Sequence, residues 1–452
     1  SAALSLLIID EAAFVEKAEE IWASAQPTLS CLDKNTLILT DKGLIRLEQL
    51  IDGSTKLGFN SVNLKVHDGE EITDASSFYM SDKSDMYEVE FASGAKIIGT
   101  KKHPLMTKNG WKSISDLFPD EDEVLCKYSQ HLFGPPIDYS KFNPDIRKDA
   151  VHYKFSNREI AYLCGLWTAE GHINKRTVGI TNTDKEITDW LKNRGFTCYD
   201  DRHYYLSSVW LVELLKWIGC EGTAHTKRVP WRILSSSMEE QCAFLQGLFD
   251  GDGCSLGAKG VKLTSVSFEL LSNVRCMLLN LGIRSYIRSS EWKSTKSTVI
   301  KDKSKIFHGY ELHIGGWDAH KYYTTIGFTV KRKAAGWSQL PLKSIKRVYP
   351  DKNAVKELIL ETGLSIRAFS KKYGYYYDKY LWNGGKGLSI SSVEKLLDIC
   401  NGLSTSENYK KVKAQYERDT TEYYDKVVSV RYLKNDFSYD LKVPSSERFL
   451  AN

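Results

Sequence analysis

Proline is scarce in this chain, at 10 of 452 residues, and methionine scarcer still at 5, so a proline-rich rod or linker-like polymer is excluded. No apolar run approaches the length that a bilayer-spanning helix needs. The opening residues, SAALSLLIIDEAAF, lack the basic stretch and small-residue cleavage site of a secretory leader. The expected location is therefore the cytoplasm. The nine cysteines form no CxxC and no Cys/His spacing of a zinc site. Cys164, Cys242, Cys276 and Cys400 stand among apolar neighbours, where a small buried hydrophobe suits the position.

What is present is the composition of a globular protein, 42% hydrophobic and 26% charged. A length of 452 residues implies three or four units rather than one. The net charge of +5 is unevenly spread, because residues 281–350 hold fourteen Lys/Arg against four Asp/Glu. That stretch is also rich in Tyr and Trp. It is compatible with a phosphate-facing surface and equally with a solvated face.

A duplication lies in the middle of the chain. Residues 163–171 read LCGLWTAEG and residues 245–253 read LQGLFDGDG. Each follows helix-compatible sequence (SNREIAY, SSMEEQCAF) and precedes a β-like segment and a second helix ending in glycine. Two such copies in one chain imply an internal pseudo-twofold axis. Gly165 and Gly247 carry no side chain, so the two helices can cross with backbones in contact. Gly171 and Gly253 suit left-handed caps at the helix ends. The acids just before them, Glu170 and Asp252, would then meet at one end of the seam. Two carboxylates at helix C-termini repel each other and the macrodipole, and are stable only around cations. Oxygen ligands suit Mg²⁺, whose usual work between paired acids is phosphodiester hydrolysis.

The two nonamers resemble the paired motifs of monomeric LAGLIDADG homing endonucleases, with Glu170 and Asp252 at the metal-binding positions. The resemblance spans about 150–335 and implies αββαββα repeats, double-stranded DNA as substrate and a monomeric pseudo-dimer. TKRVPWRIL (226–234) resembles the segment between the motifs and makes Lys227 the catalytic-lysine candidate. IGFTVKRK (326–333) makes Lys333 a candidate for the symmetry-related role or for a DNA phosphate contact. Phosphate binding at the surface is the alternative for both lysines.

Such nucleases commonly lodge in inteins, and the flanks carry matching blocks. CLDKNTLILTDKGLIRLEQL (31–50) resembles the N-terminal block of the Hint-type splicing domain, in which Cys31 would attack the Ser30 carbonyl and form a thioester. GAKIIGTKKHPLMT (94–107) resembles the second block, with Thr100 and His103 polarising or protonating the scissile amide. FSYDLKVPSSERFLAN (437–452) resembles a late block, with Asp440 as its acid and Glu447 where a histidine is often found. In that family an apolar strand, a penultimate His and a terminal Asn follow. Asn452 stands beside Ala451 and matches an earlier asparagine, so the expectation is thioester formation at Cys31 without complete splicing.

Residues 1–30 contain LSLLIIDEAAF, which resembles the Walker B strand of phage terminase large subunits, with Asp10–Glu11 at its end and no Walker A loop alongside. Residues 351–404 resemble a Cro/C1-type helix-turn-helix. Ser365 opens its second helix, Phe369 and Ser370 face the turn, and Gly374 makes it. Tyr376–Trp382 would be the recognition helix, with Tyr376, Tyr377 and Lys379 as DNA-contact candidates or, equally, core and surface residues.

The expected architecture is multi-domain. A horseshoe-like all-β splicing domain is split between 31–135 and 422–452, and into it are inserted an α/β LAGLIDADG endonuclease (150–335) and a small all-α unit (351–404), behind the terminase-like stub. A DNA-binding protein with a dead nuclease, a hedgehog-type autoprocessing protein, a free-standing endonuclease and a degraded intein are the rivals.

Overall fold

A computed structural model describes residues 30–145, 155–293, 306–340, 347–374, 377–382 and 387–452. The terminase-like strand, Asp10, Glu11 and Tyr376 lie outside the described residues. Among those described, no helix is long and apolar enough to cross a membrane.

The first unit is a sheet of nine antiparallel strands, ordered 43–46, 37–40, 58–67, 72–91, 422–442, 123–127, 104–107 and 110–113, with 96–100 also paired to 72–91. Its spine is the pair Ile72–Phe91 and Glu422–Lys442, matched from Val427↔Phe91 to Lys442↔Ser77 through three bulges. Residues from the two ends of the described chain thus complete each other's ladder, and neither long strand has its full set of backbone partners alone. Alternation along these strands turns Phe78, Val89, Val427, Tyr439 and Leu441 into one core with Leu32, Ile38 and Ile114.

The second unit repeats one plan twice. Helix Asn157–Glu170 leads into strands Gly171–Ile173 and Thr177–Thr181, helix Lys185–Lys192, strands Thr197–Cys198 and His203–Ser207, and helix Val209–Ile218. Helix Met238–Asp252 leads into strands Gly253–Ser255 and Val261–Ser265, helix Phe268–Asn280, strands Tyr286–Lys293 and Ile306–Ile314, and helix Gly316–Thr325. In both halves the four strands order themselves first, second, fourth, third. Both motif helices open on the same local chemistry. Ser156 and Glu159 form a capping box, and so do Ser237 and Glu240. The halves share one core in which Leu163, Leu166, Phe244, Leu248, Val178 and Leu263 are at most 1% exposed. Each such side chain is worth roughly 1.5–3 kcal/mol of transfer free energy.

Boundaries differ from expectation in two places. Leu132, Phe133, Ile137, Tyr139 and Phe142 pack on the core of the duplicated unit, although 31–135 was assigned to the β unit and 136–149 to neither. The helical unit does not stop at 404. Helix Glu407–Thr421 places Tyr409 and Val412 in the same core as Val355, Leu358 and Phe369.

Two candidate active sites

The motif helices touch through their glycines. A Cβ on Gly165 would lie 2.1 Å from the Phe244 carbonyl oxygen, and one on Gly247 2.2 Å from that of Tyr162. At the far end a Cβ on Gly251 would stand 2.5 Å from Cβ of Ala169 and 3.8 Å from Cγ of Glu170. The seam therefore carries Glu170 and Asp252 to the same end.

Gly171 and Gly253 do not form left-handed caps. Their φ values are −93° and −81°, with ψ 158° at both, so each helix runs straight into an extended strand. The glycines answer a different demand. A Cβ at 171 would lie 2.4 Å from Cα of Trp167, and one at 253 would lie 2.5 Å from the Phe249 carbonyl oxygen.

Burial pushes the Asp252 carboxyl up to about 7; Glu170 adds to the rise, while Lys227 and Lys333 oppose it. Burial likewise raises Glu170, whose Oε2 accepts from Nδ2 of Asn182 at 2.6 Å. Lys227 Nζ donates to the carbonyls of Thr168 (2.5 Å) and Ala169 (3.0 Å) at the end of the first motif helix. Lys333 Nζ donates to Phe249 (3.2 Å), Asp250 (2.5 Å) and Gly251 (3.1 Å) at the end of the second. Each ammonium thus faces the negative end of one helix. Burial lowers both lysines, and the facing carboxylates pull them back. Lys333 is only 3% exposed. It does not make a surface phosphate contact, because its ammonium is already spent on three carbonyls.

Asn182 and Asp250 were not foreseen. Asn182 holds one carboxylate, but nothing in TNTD announces a partner twelve residues upstream. Asp250 is wholly buried, taking hydrogen bonds from the Tyr162 hydroxyl (2.9 Å) and from the backbone of Thr329 (3.1 Å) and Val330 (3.4 Å). The first acid of the second nonamer is therefore a brace for the closing segment.

Among the described residues no cluster of three or more His, Cys, Asp or Glu could hold a metal. Glu170 and Asp252 supply two carboxylates, both raised chiefly by burial, with Glu170 adding to the rise at Asp252. That donor set fits Mg²⁺, which commonly takes one or two carboxylates and fills its shell with water and phosphate oxygen. It fits no zinc site.

The second site surrounds the Ser30–Cys31 peptide. The Cys31 amide N–H, on the nitrogen that a thioester rearrangement releases, donates to Thr100 Oγ1 at 2.9 Å. The Thr100 N–H returns a bond to the Cys31 carbonyl at 2.8 Å. Burial pushes the His103 imidazole down to about 4, opposed by a hydrogen bond with the Ser30 backbone. His103 is thus neutral at physiological pH, beside the acyl side of the peptide. Burial pushes Asp440 up to about 8. Burial raises the Cys31 thiol, and the nearby Asp440 raises it further. Ser438, fully buried beside that thiol, partly offsets the rise, and it was not foreseen. A cavity of about 680 Å³ opens here, with Ser30, His103, Asp440 and Glu447 in its wall.

The helix-turn-helix candidates fare unevenly. Ser365 caps helix Ile366–Tyr373, and Gly374 ends it at φ 74°. Tyr377 is fully buried with its hydroxyl on the Ser392 carbonyl at 2.9 Å, so it is a core residue and not a DNA contact. Lys379 belongs to helix Tyr377–Trp382.

Residues 239–327 match the family model of the LAGLIDADG-like domain. That span holds the second motif helix and the sheet that follows it, so the chain carries a LAGLIDADG-like domain. Among curated relatives, a probable translation initiation factor IF-2 of Methanocaldococcus jannaschii is 23% identical over 85% of this chain and 39% of its own length. The alpha subunit of the ribonucleoside-diphosphate reductase NrdEB of Bacillus subtilis is 25% identical over 58% of this chain and 26% of its own. The chain spans well under half the length of either. Among solved structures, I-DmoI in complex with DNA and Ca is 22% identical, covering 40% of this chain and 96% of that one at a TM-score of 0.27. A DnaB intein from Synechocystis is 18% identical, covering 22% and 70% at a TM-score of 0.18.

Proposed function

We propose that this chain is an intein: a protein-splicing element that carries a two-motif homing endonuclease and interrupts a phage terminase large subunit. Its substrate would be double-stranded DNA, cut on both strands with Mg²⁺ within the terminase gene that lacks the insertion. The chain would act as a monomer, because both halves of the pseudo-dimer are present in it.

The observation that carries the nuclease reading is the joint placement of Glu170 and Asp252 at the end of a glycine-glycine helix crossing, with a lysine at each helix terminus. A divalent ion held by the two acids supplies Lewis-acid polarisation of a phosphodiester. The chain's own part is to hold the carboxylates together, keep them partly dry and set Lys227 beside the charge that develops on the phosphate. The curated relatives add support of another kind. An initiation factor and a reductase share no reaction by name, so the matched part reads as an element lodged in unrelated hosts.

At the other site, Cys31 Sγ would attack the Ser30 carbonyl carbon. A C–S bond forms, the C–N bond to Cys31 breaks, and the thiol proton ends on the freed amine. Thr100 and His103 lie on the two sides of that bond, which suits holding the amide and moving the proton. Lys379, on helix Tyr377–Trp382, would add a DNA contact outside the nuclease.

A plasmid carrying the uninterrupted terminase sequence tests the nuclease. The chain should linearise it in Mg²⁺ and not in EDTA, and Asp252→Asn should linearise it in neither. Linearisation by Asp252→Asn at the wild-type rate would reject the paired-acid site. Incubation with a strong thiol should release peptide 1–30 by mass spectrometry, and Cys31→Ala should release none.

A further inference from the structure

The loop that carries Lys227 is pinned from outside the nuclease. Within it, Lys227 is tied by its side chain to the first motif helix and by its carbonyl to Ser267 Oγ at 2.7 Å. The next two residues are held by the β unit. Arg228 Nη1 lies 2.9 Å from Oε1 of Glu48, and the Val229 carbonyl accepts from Nη2 of Arg46 at 3.3 Å. Arg46 is 2% exposed and reaches on to Oδ1 of Asn273 at 2.7 Å. Glu269 Oε1 closes the group at 3.3 Å from Arg228 and 3.7 Å from Arg46. The hairpin bearing Arg46 is seated on the short helix that follows this loop, Trp231–Leu234. A Cβ on Gly43 would stand 3.0 Å from the Leu234 carbonyl oxygen.

Among the described residues, the symmetry-related lysine shows no such dependence. Arg332, the neighbour of Lys333, donates two hydrogen bonds to the Asp184 carboxylate, at 2.8 Å and 2.8 Å, and Lys331 N–H donates to Glu186 at 3.3 Å. The Lys333 carbonyl accepts from the Tyr323 hydroxyl at 3.4 Å. Every one of those partners belongs to the duplicated unit.

We propose that Arg46 and Glu48 of the β unit are positioning residues for Lys227, so that one of the two nuclease half-sites is completed by the splicing unit and the other is self-sufficient. This rests on the nuclease reading above. A pseudo-twofold axis set on the dyad of a duplex gives one half to each strand, so the dependence is strand-specific. Glu48 is partly exposed, so Glu48→Ala leaves the fold standing. Arg46→Met is the second variant, and Glu48→Asp keeps the charge as the conservative control.

A duplex of the uninterrupted terminase sequence, labelled on each strand separately, gives the two cutting rates in Mg²⁺. Glu48→Ala and Arg46→Met should slow one strand about tenfold and leave the other near wild type, so nicked DNA accumulates. Glu48→Asp should keep the strands balanced. A second readout needs neither metal nor DNA. Limited acetylation followed by mass spectrometry should find Lys227 more reactive relative to Lys333 in Glu48→Ala than in wild type. Equal slowing of both strands, or an unchanged Lys227 to Lys333 ratio, overturns the proposal. If wild type cuts neither strand, the nuclease reading fails, and the acetylation ratio alone decides whether the β unit positions Lys227.

Discussion

Gly165 and Gly247 face each other across the helix crossing, each where a Cβ would fall about 2 Å from a carbonyl oxygen of the other helix. Neither glycine is a flexible point, since both lie inside regular helix. They are there because backbone meets backbone. Alanine at either position must push the helices apart along a seam that also sets the spacing of Glu170 and Asp252. Gly247→Ala should cost about 2–3 kcal/mol by urea unfolding and abolish cutting, and Gly165→Ala should match it. A substitution that left both stability and cutting intact would mean the crossing is looser than these contacts allow.

Asp252 is held next to Glu170 in a partly dry pocket, which disfavours the charged pair without a cation. In EDTA at pH 8, Asp252→Asn should therefore be as stable as wild type or about 1–2 kcal/mol more stable. Added Mg²⁺ should raise the melting temperature of wild type and leave the variant unmoved. A Mg²⁺ shift of equal size in both would place the ion elsewhere.

His103 gives the β unit an acid-sensitive term. Its folded value near 4 lies below the usual 6.5, so between those values the unfolded chain binds the proton and the folded one does not. Stability from this group is full above about 6.5 and falls on acidification, by about 2 kcal/mol at pH 5. Asp440 acts with the opposite sign, since its value near 8 means the folded state holds a proton that the unfolded state has lost, and its penalty grows as pH rises. Comparison with His103→Gln isolates the first effect. Unfolding midpoints measured from pH 7.5 to 5 should converge, with wild type losing its advantage on the acid side.

Arg275, on the nuclease helix Phe268–Asn280, is buried against the β unit. Its Nη2 donates to the Tyr423 hydroxyl at 2.6 Å and to Ser93 Oγ at 3.0 Å, and lies 3.7 Å from Oδ2 of Asp425. Asp425 is 5% exposed. Arg275→Ala should leave that carboxylate stranded and cost about 3–5 kcal/mol, read by urea unfolding. The double variant with Asp425→Asn should recover much of the loss, because the stranded charge is then gone.

The linear sequence decided what depends on near neighbours and on repetition. The S-x-x-E boxes at 156–159 and 237–240 start the motif helices. The paired glycines mark where those helices cross, and the two nonamers announce that the plan is used twice. The cysteine at 31 and the Thr100/His103 pair are singled out by the resemblance of their segments to splicing blocks. Tertiary structure decided everything that required a partner distant in the chain. Tyr377 went to the core because Ser392 and Phe369 close over it. Lys333 turned inward because the end of the second motif helix presents three carbonyls to it. Asp250 became a brace and Asn182 a carboxylate holder through strand and loop registers that no local pattern encodes. Side-chain chemistry is local, but burial and charge pairing belong to the assembled chain, and those set each group's protonation and its free valences.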